Sequence, residues 1–258
     1  MTANFHTHTF RCNHAKGTDR EYVEKAIEFG IYELGFSDHM PQLYPDGKNK
    51  HFQMKLSEVA EYFESLAALK QEYAKDIKIY IGFEAEYYKG ITEKTLEFFK
   101  TYPIDYLVLG QHLLDNFDSE ISSEATADKN RLKRYVDTVI SAIGTGKFSL
   151  IAHPDVINYV PDDKYYYSEM KRLCIAAKNA DIPLECNMLG SGGFGNRRRH
   201  YPSERFFKIA AEVGNDVIIS CDAHEPEMLG NPVGYKICRE ILRDVGITPI
   251  EKLKLIRP

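Results

Sequence analysis

The stretch FHTHTFRCNHA, residues 5–15, places three histidines near the beginning of the chain. His6 and His8 follow a short run of strand-forming residues, and residues two positions apart on a strand point to the same side of it. His14 follows six positions after His8. By itself the stretch predicts either a metal site or a solvated polar turn, so its meaning depends on what the rest of the chain brings beside it.

Short β-prone runs alternate with amphipathic, helix-prone runs along the whole chain. The predicted strands are residues 3–6, 32–36, 78–83, 105–109, 149–152, 183–186 and 216–220. The predicted helices are residues 18–29, 57–74, 91–100, 128–145, 164–180, 203–213 and 233–245, and Thr18 and Ser57 are the predicted capping residues of the first two. Seven strand–helix units favour an α/β barrel of parallel strands over an open sheet, although periodicity alone does not establish closure. The 258 residues contain no Pro/Gly/Ser-rich linker, which predicts a single domain over residues 1–258.

Histidines and acidic residues recur where the predicted strands end. In a parallel barrel the carboxyl ends of all strands converge on one mouth, where active sites are built. The residues in question are His6, His8, Asp38, His39, Glu84, Glu86, His112, His153, Asp155, Glu185, Asn187, Asp222 and His224. Each motif taken singly can be a turn or a helix cap, but their joint recurrence at strand ends predicts a metal site.

The types of residue in this set indicate which ions the site would bind. Imidazoles and carboxylates suit zinc, manganese and iron. The set is too large for one ion, and Glu84 is the natural candidate to bridge two. Clustered divalent ions are typical of phosphate-ester hydrolysis. The five cysteines form no CxxC pair, so neither a disulfide framework nor a thiolate zinc site is predicted, and Cys12 is expected only to pack beside the histidines.

Composition and charge limit the kinds of molecule that this protein is expected to bind. The net charge of −5 and the sequence pI of 6.0 argue against nucleic acid and anionic membranes as partners. No apolar run approaches the roughly 18–20 residues that cross a membrane. The segment MTANFHTHTF has neither a basic start nor an apolar stretch, so we expect a cytoplasmic protein. Oligomer formation is possible and stays open.

Six motifs occur in the order HTHT, SDH, GFEAEY, DYLVLGQH, AHPD and CDAHEP, and together they resemble those of the PHP (polymerase and histidinol phosphatase) superfamily. The YPSE and CDAHEPEMLG segments are most similar to its histidinol-phosphatase branch. The resemblance covers nearly the whole chain. It implies a distorted TIM-like (β/α)7 barrel with a metal site at the C-terminal mouth.

The resemblance also implies three divalent ions, which would be zinc, manganese or iron. The first ion would be held by His6, His8, Glu84 and Asp222. The second would be held by Glu84, His112 and His153. The third would be held by His14, His39 and His224.

The activity implied by the resemblance is hydrolysis of L-histidinol phosphate to L-histidinol and phosphate, a late step of histidine biosynthesis. A hydroxide that bridges the first two ions would attack phosphorus. The leaving alkoxide needs a proton, for which Asp38 and Asp155 are candidates, although either could instead orient a ligand histidine. His39 is expected to contribute to turnover.

The loop GSGGFGNRRRHYP, residues 190–202, carries the candidate phosphate ligands. Arg197 and Arg199 are predicted to bind phosphate because the planar guanidinium fork matches its oxygens. Asn187, which precedes the loop, is predicted to bind the substrate beside them. The alternative for such a basic run is a solvated loop.

Three other functions remain open. A PHP phosphoesterase could act on another small phosphate ester, such as a sugar phosphate or a nucleotide. A nuclease is disfavoured by the acidic balance and by the lack of a basic groove with stacking aromatics. A non-catalytic metal-binding or regulatory module would use the same ligands without turnover.

Overall fold

The computed structural model describes residues 1–114, 121–192 and 197–258. Seven parallel strands pair in chain order: β1 (Ala3–Asn4), β2 (Glu33–His39), β3 (Lys78–Ala85), β4 (Tyr106–Leu109), β5 (Leu150–Ile151), β6 (Leu184–Asn187) and β7 (Val217–Ser220). The predicted α/β barrel is therefore confirmed. Two strands run further than predicted, so Asp38, His39 and Glu84 lie on strands rather than after them.

Helices follow the strands and cover the outside of the sheet. Their bounds are α1 (Asp19–Glu28), α2 (Val59–Glu72), α3 (Ile91–Phe98), α4 (Lys129–Ile143), α5 (Lys164–Asn179), α6 (Met188–Ser191), α7 (Glu204–Val213) and α8 (Pro232–Asp244). The short α6 occupies the start of the predicted loop 190–202, of which residues 193–196 lie outside the described residues. Within the described ranges, every helix is too short or too polar to cross a membrane.

The two predicted capping residues have different outcomes. Thr18 caps α1 as predicted: its Oγ1 accepts a hydrogen bond from the backbone N–H of Glu21 at 3.3 Å, and Glu21 Oε2 accepts one from the backbone N–H of Thr18 at 2.6 Å. The prediction for Ser57 is wrong. Residues Leu56–Glu58 form a 3-10 turn ahead of α2, so Ser57 lies inside that turn and not before a helix.

The barrel closes through the loops that follow its first and last strands. The backbone N–H of His8 donates to the carbonyl of Ala223 at 2.9 Å, and that of Ala223 donates to the carbonyl of His6 at 3.2 Å. Below this pair, the side chain of Asn4 accepts a hydrogen bond from the backbone of Cys221 at 2.7 Å. The seam between β1 and β7 is thus shorter than a full ladder, and the barrel is nearly closed. These contacts bring the HxH segment, which contains His6 and His8, beside the CDAH segment, which contains Asp222 and His224.

Large side chains fill the interior of the barrel below the mouth. The hydroxyl of Tyr106 donates to the carbonyls of Phe5 and Phe36, at 3.0 and 3.1 Å, across the barrel. Glycines make room for this ring, since a Cβ on Gly35 would lie 2.2 Å from its hydroxyl and one on Gly82 would lie 2.7 Å from the ring carbons. Leu253 and Leu255, near the end of the chain, pack against the same interior cluster. The interior is therefore a packed core, and polar side chains collect at the carboxyl ends of the strands.

Candidate metal centre

Glu84, near the end of β3, lies at the centre of a group of histidine rings. Its Oε2 atom lies 3.1 Å from His39 Nδ1 and 3.4 Å from His6 Nε2. Its Oε1 atom lies 2.9 Å from His153 Nε2 and 3.7 Å from His112 Nε2. The two oxygens thus face different sets of imidazoles, as expected for a carboxylate shared between two ions.

The closure of the barrel completes the first set of predicted ligands. His6 Nε2 and His8 Nε2 lie 3.2 Å apart, and His8 Nε2 lies 3.1 Å from Asp222 Oδ1. Ligand atoms of His6, His8 and Asp222 lie within 4.8 Å of one another, and the same is true of His6, Glu84 and His153. Residues from the two ends of the chain therefore meet at one point.

A third cluster lies beside the first. His14 Nδ1 lies 2.8 Å from the carbonyl of Cys12, and His224 Nδ1 lies 3.0 Å from the carbonyl of Asp222. A carbonyl can only accept, so Nδ1 carries the proton in both rings and each neutral ring presents a bare Nε2. These Nε2 atoms lie 2.9 Å apart. Two acceptors at this distance repel each other unless a proton or a metal ion lies between them, and a metal ion at this point fits the predicted third site.

His39 connects this cluster to Glu84. Its Nδ1 faces Glu84, while the centre of its ring lies 5.3 Å from that of His14. Ligand atoms of His8, His39 and His224 also lie within 4.8 Å of one another. The nine predicted metal ligands thus form one contiguous centre at the barrel mouth.

The backbone is strained at two of these ligands. His153 has a φ of 28° and Asp222 a φ of 51°, in the left-handed region that L residues avoid. The side chain of Glu84 lies close to the backbone of Gly110, just after β4. Only glycine fits there, because a Cβ on Gly110 would lie 1.9 Å from Glu84 Oε1. Strain of this kind, of order 1–3 kcal/mol per residue, is characteristic of functional sites.

Two polar residues on β6 support the ligands from behind. Glu185 Oε1 lies 2.8 Å from His6 Nδ1, and its Oε2 accepts a hydrogen bond from the backbone N–H of His153 at 2.9 Å. Asn187 donates to Glu185 and to Asp222, at 2.8 and 3.0 Å. Both amide protons of Asn187 are therefore engaged within the centre, in contrast to the predicted contact with the substrate. Glu185 belongs to the predicted set of strand-end residues, but its contact with His6 was not predicted; its two-residue spacing from Asn187 at a strand end was a usable signal.

Glu86 is a second strand-end residue for which no individual role was predicted. Its Oε1 accepts hydrogen bonds from the backbone N–H groups of His112 and Leu113, at 3.1 and 3.0 Å. Its Oε2 accepts a hydrogen bond from the hydroxyl of Tyr88 at 2.7 Å. Glu86 thereby fixes the chain that carries His112, and burial raises the pKa of its carboxyl to about 8.

The two candidate proton donors lie behind the histidines. Asp38 is fully buried, accepts a hydrogen bond from the hydroxyl of Thr9, and lies 3.5 Å from His8 Nδ1. Asp155 accepts a hydrogen bond from the backbone N–H of Ser203 at 2.6 Å, and burial raises its pKa to about 6. Neither carboxyl is part of the cavity lining. These positions disfavour proton donation. They support an orienting role for Asp38 but not for Asp155, because His153 Nδ1 has no hydrogen-bond partner among the described residues.

A cavity of about 470 Å³ opens above the centre. Glu84, His39 and Asp222 contribute to its floor. Its wall is largely apolar and aromatic, but also includes three polar side chains. The wall residues are Phe52, Leu113, Ile121, Leu189, Tyr201 and Met228, with His51, Arg199 and Glu225. Arg199 also donates to the hydroxyl of Tyr201 at 2.8 Å. Arg197 and Arg199 are both exposed, but Arg197 lies outside this lining.

The electrostatics of the buried groups suit cations. Burial opposes ionisation of Glu84 and Asp222, but the surrounding imidazoles outweigh it and hold the pKa of each carboxyl well below its usual value. Burial lowers the pKa of His224 to about 3, so this ring is neutral at pH 7, the form that ligates metals. Glu84 Oε2 is buried and lacks a hydrogen-bond partner among the described residues. An unpartnered buried carboxylate oxygen beside bare imidazole nitrogens fits a divalent ion.

Comparison with known proteins agrees with this arrangement. The sequence profile of the PHP domain matches residues 4–189. A protein of Deinococcus radiodurans named "Probable histidinol-phosphatase" is 31% identical over 252 residues, which cover 93% of this chain and 92% of that protein. A protein of Schizosaccharomyces pombe with the same name is 24% identical over 97% of this chain and 89% of its own length.

A solved structure shares the fold. Histidinol phosphate phosphatase of Lactococcus lactis, crystallised with zinc, L-histidinol and phosphate, superposes with a TM-score of 0.74 at 16% identity, over 96% of this chain and 95% of that one. The profile match spans most of the barrel, and the Deinococcus relative is similar over almost the full length. The chain belongs to the PHP domain family.

Proposed function

We propose that this protein is a metal-dependent phosphomonoesterase that hydrolyses L-histidinol phosphate to L-histidinol and phosphate. The observation that carries the proposal is the position of Glu84, whose two oxygens face separate groups of imidazoles at the floor of a cavity. The names of the full-length relatives support the choice of substrate.

Three divalent ions of zinc, manganese or iron are proposed for this centre. Their ligands would be His6, His8, Glu84 and Asp222 for the first, Glu84, His112 and His153 for the second, and His14, His39 and His224 for the third. Ions bound by such ligands activate water as a nucleophile and stabilise charge on phosphoryl oxygens. Because the segments that follow β1 and β7 would supply ligands of the same centre, we treat residues 1–258 as one functional domain.

Residues of the chain bind and orient the ester. Arg199 reaches the cavity and would bind the phosphate through charge-assisted hydrogen bonds. The apolar wall, to which Phe52 and Leu189 contribute, would pack against the organic part of the substrate and exclude water. Asp38 would hold the ring of His8, and Glu185 that of His6.

A panel of phosphate esters tests the proposal. Phosphate release from histidinol phosphate, p-nitrophenyl phosphate, a sugar phosphate and a nucleotide is compared by kcat/KM on metal-loaded protein. We expect histidinol phosphate to rank first, and we expect a chelator to abolish release until zinc or manganese is returned. An equal rank for p-nitrophenyl phosphate contradicts the substrate assignment. Phosphate release that survives complete removal of metal contradicts the mechanism.

A further inference from the structure

The buried thiol of Cys12 lies at the edge of the metal centre. Cys12 ends a 3-10 helix, Phe10–Cys12, and its relative exposure is 0%. The next residue, Asn13, adopts a left-handed φ of 68°, which folds the chain back on itself. As a result His14 Nδ1 donates to the carbonyl of Cys12. The thiol and the imidazole of His14 thus belong to one tight turn.

The sulfur of Cys12 lies among atoms that bind metals. Ligand atoms of Cys12, His14 and His224 lie within 4.8 Å of one another, and so do those of Cys12, His8 and Asp38. Of these residues, His14 and His224 bring two bare nitrogens to 2.9 Å, a pair whose repulsion a shared cation would remove. The sulfur of Cys12 therefore lies beside the point where the ion of the third site would bind.

The turn that carries Cys12 is firmly anchored. The preceding residue, Arg11, is 2% exposed and donates to both carboxylate oxygens of Asp19 at 2.8 Å. It also donates to both oxygens of Glu61, at 2.7 and 2.9 Å. These contacts tie the turn to α1 and α2. The thiol is consequently held at the centre in a fixed position.

Another buried cysteine near the centre provides a contrast. Cys221 immediately precedes Asp222, but its sulfur lies 3.8 Å from the sulfur of Met188 and 4.0 Å from the carbonyl of Leu229. It faces the helices outside the barrel wall, away from the ligands. Burial and proximity in sequence are therefore shared by both thiols, whereas contact with the imidazoles distinguishes Cys12.

We propose that Cys12, as a thiolate, is a ligand of the ion held by His14 and His224. This differs from the expectation that Cys12 only packs and that no thiolate takes part. A soft sulfur ligand favours zinc over manganese at this position, and binding releases the thiol proton to solvent. The proposal concerns the composition of the metal centre and does not depend on which phosphate ester the protein hydrolyses.

Spectroscopy on the intact protein tests the proposal. The zinc-loaded wild type is examined by X-ray absorption, and the cobalt(II)-substituted protein by near-ultraviolet absorption. We expect a zinc–sulfur shell near 2.3 Å, the usual zinc–thiolate distance, and a thiolate-to-cobalt charge-transfer band. C12S and C12A lose both signals, and C221S, the matched control, keeps both.

Several results would overturn the proposal. One is the absence of a zinc–sulfur shell from the wild type, a measurement that needs no variant to fold. The others are a charge-transfer band that C12S retains or that C221S loses. Histidinol-phosphate turnover is recorded on the same wild-type sample, so that the two proposals fail separately. A zinc–sulfur shell without turnover contradicts the proposed function alone, and turnover without the shell contradicts the role of Cys12 alone.

Discussion

Glu185 Oε1 lies 2.8 Å from His6 Nδ1, and this contact determines which nitrogen of the ring faces the centre. A carboxylate accepts the Nδ1–H, so Nε2 is left bare and is directed at Glu84 and Asp222, 3.4 and 3.6 Å away. Glu185 thus acts on the metal site through His6 without being one of its predicted ligands.

Replacing Glu185 with Gln should weaken metal binding about 10–100-fold, the usual effect of losing a carboxylate that orients a ligand histidine. The amide keeps the size of the side chain but removes the charge beside His6. Zinc affinity, measured by competition with a chelator, checks the expectation. E169Q is the control, because Glu169 is also buried but pairs with Arg172 on α5. Equal affinities of E185Q and wild type would contradict this role.

His39→Asn should lower kcat more than about 100-fold while leaving the fold intact. The reason is that His39 contacts Glu84 at 3.1 Å within the centre, and loss of a ligand should exceed the 10–100-fold cost of losing an outer partner. Turnover and circular dichroism on the same preparation measure both quantities. H200N should retain activity, since the ring of His200 contacts the carbonyl of Val156 outside the cavity. Global unfolding of H39N would instead mean that the residue is structural.

Arg199→Met should reduce kcat/KM about 10–100-fold. A hydrogen bond to a charged group contributes about 1.5–3 kcal/mol, and Arg199 is the arginine that lines the cavity above the ligands. Steady-state kinetics with histidinol phosphate, together with the inhibition constant for phosphate, provide the measurement. R197M should stay within about twofold of wild type because Arg197 lies on the surface outside the cavity lining. A larger loss of kcat/KM in R197M than in R199M would indicate that Arg197, and not Arg199, binds the phosphate.

Arg11→Met should destabilise the protein by about 3–5 kcal/mol, because it leaves the buried carboxylate of Asp19 without its cation. The free energy of unfolding from urea titration measures the change. Arg20→Met is the matched control: Arg20 also makes two hydrogen bonds to one carboxylate, Glu72, but both partners are solvent-exposed. We expect R20M to lower the free energy of unfolding much less than R11M does. An equal loss of unfolding free energy in R11M and R20M would show that the effect of R11M does not depend on the burial of Arg11.

Local patterns were sufficient to predict the order of the elements. The runs that include residues 78–83 and 216–220 are short, apolar and β-branched, as strands covered on both faces must be. Thr18 followed by Glu21 carries a complete capping signal within four residues, and it is confirmed. Ser57 carries only half of that signal. The prediction that it caps a helix is wrong, because Ser57 lies inside a 3-10 turn. Signals complete within a few residues were thus the dependable ones.

Local patterns could not predict contacts between residues that are distant in the sequence. The role of Glu185 depends on His6, 179 positions away. The pairing of His14 with His224 depends on barrel closure, which no local period encodes. Cys12 was interpreted as a packing residue. The ligand role now proposed depends on the left-handed turn at Asn13 and on His224, which lies near the other end of the barrel sequence.

The amino-acid sequence by itself determined which kinds of ligand this protein carries and at which strand ends they lie, because strand periodicity and side-chain chemistry are properties of neighbouring residues. Only the tertiary structure decided which candidate ligands lie together, which polar groups contact them and which arginine reaches the cavity. Those relationships depend on the seam between β1 and β7 and on strained backbone at His153 and Asp222. Both are imposed by packing of the whole barrel and not by any stretch of its sequence.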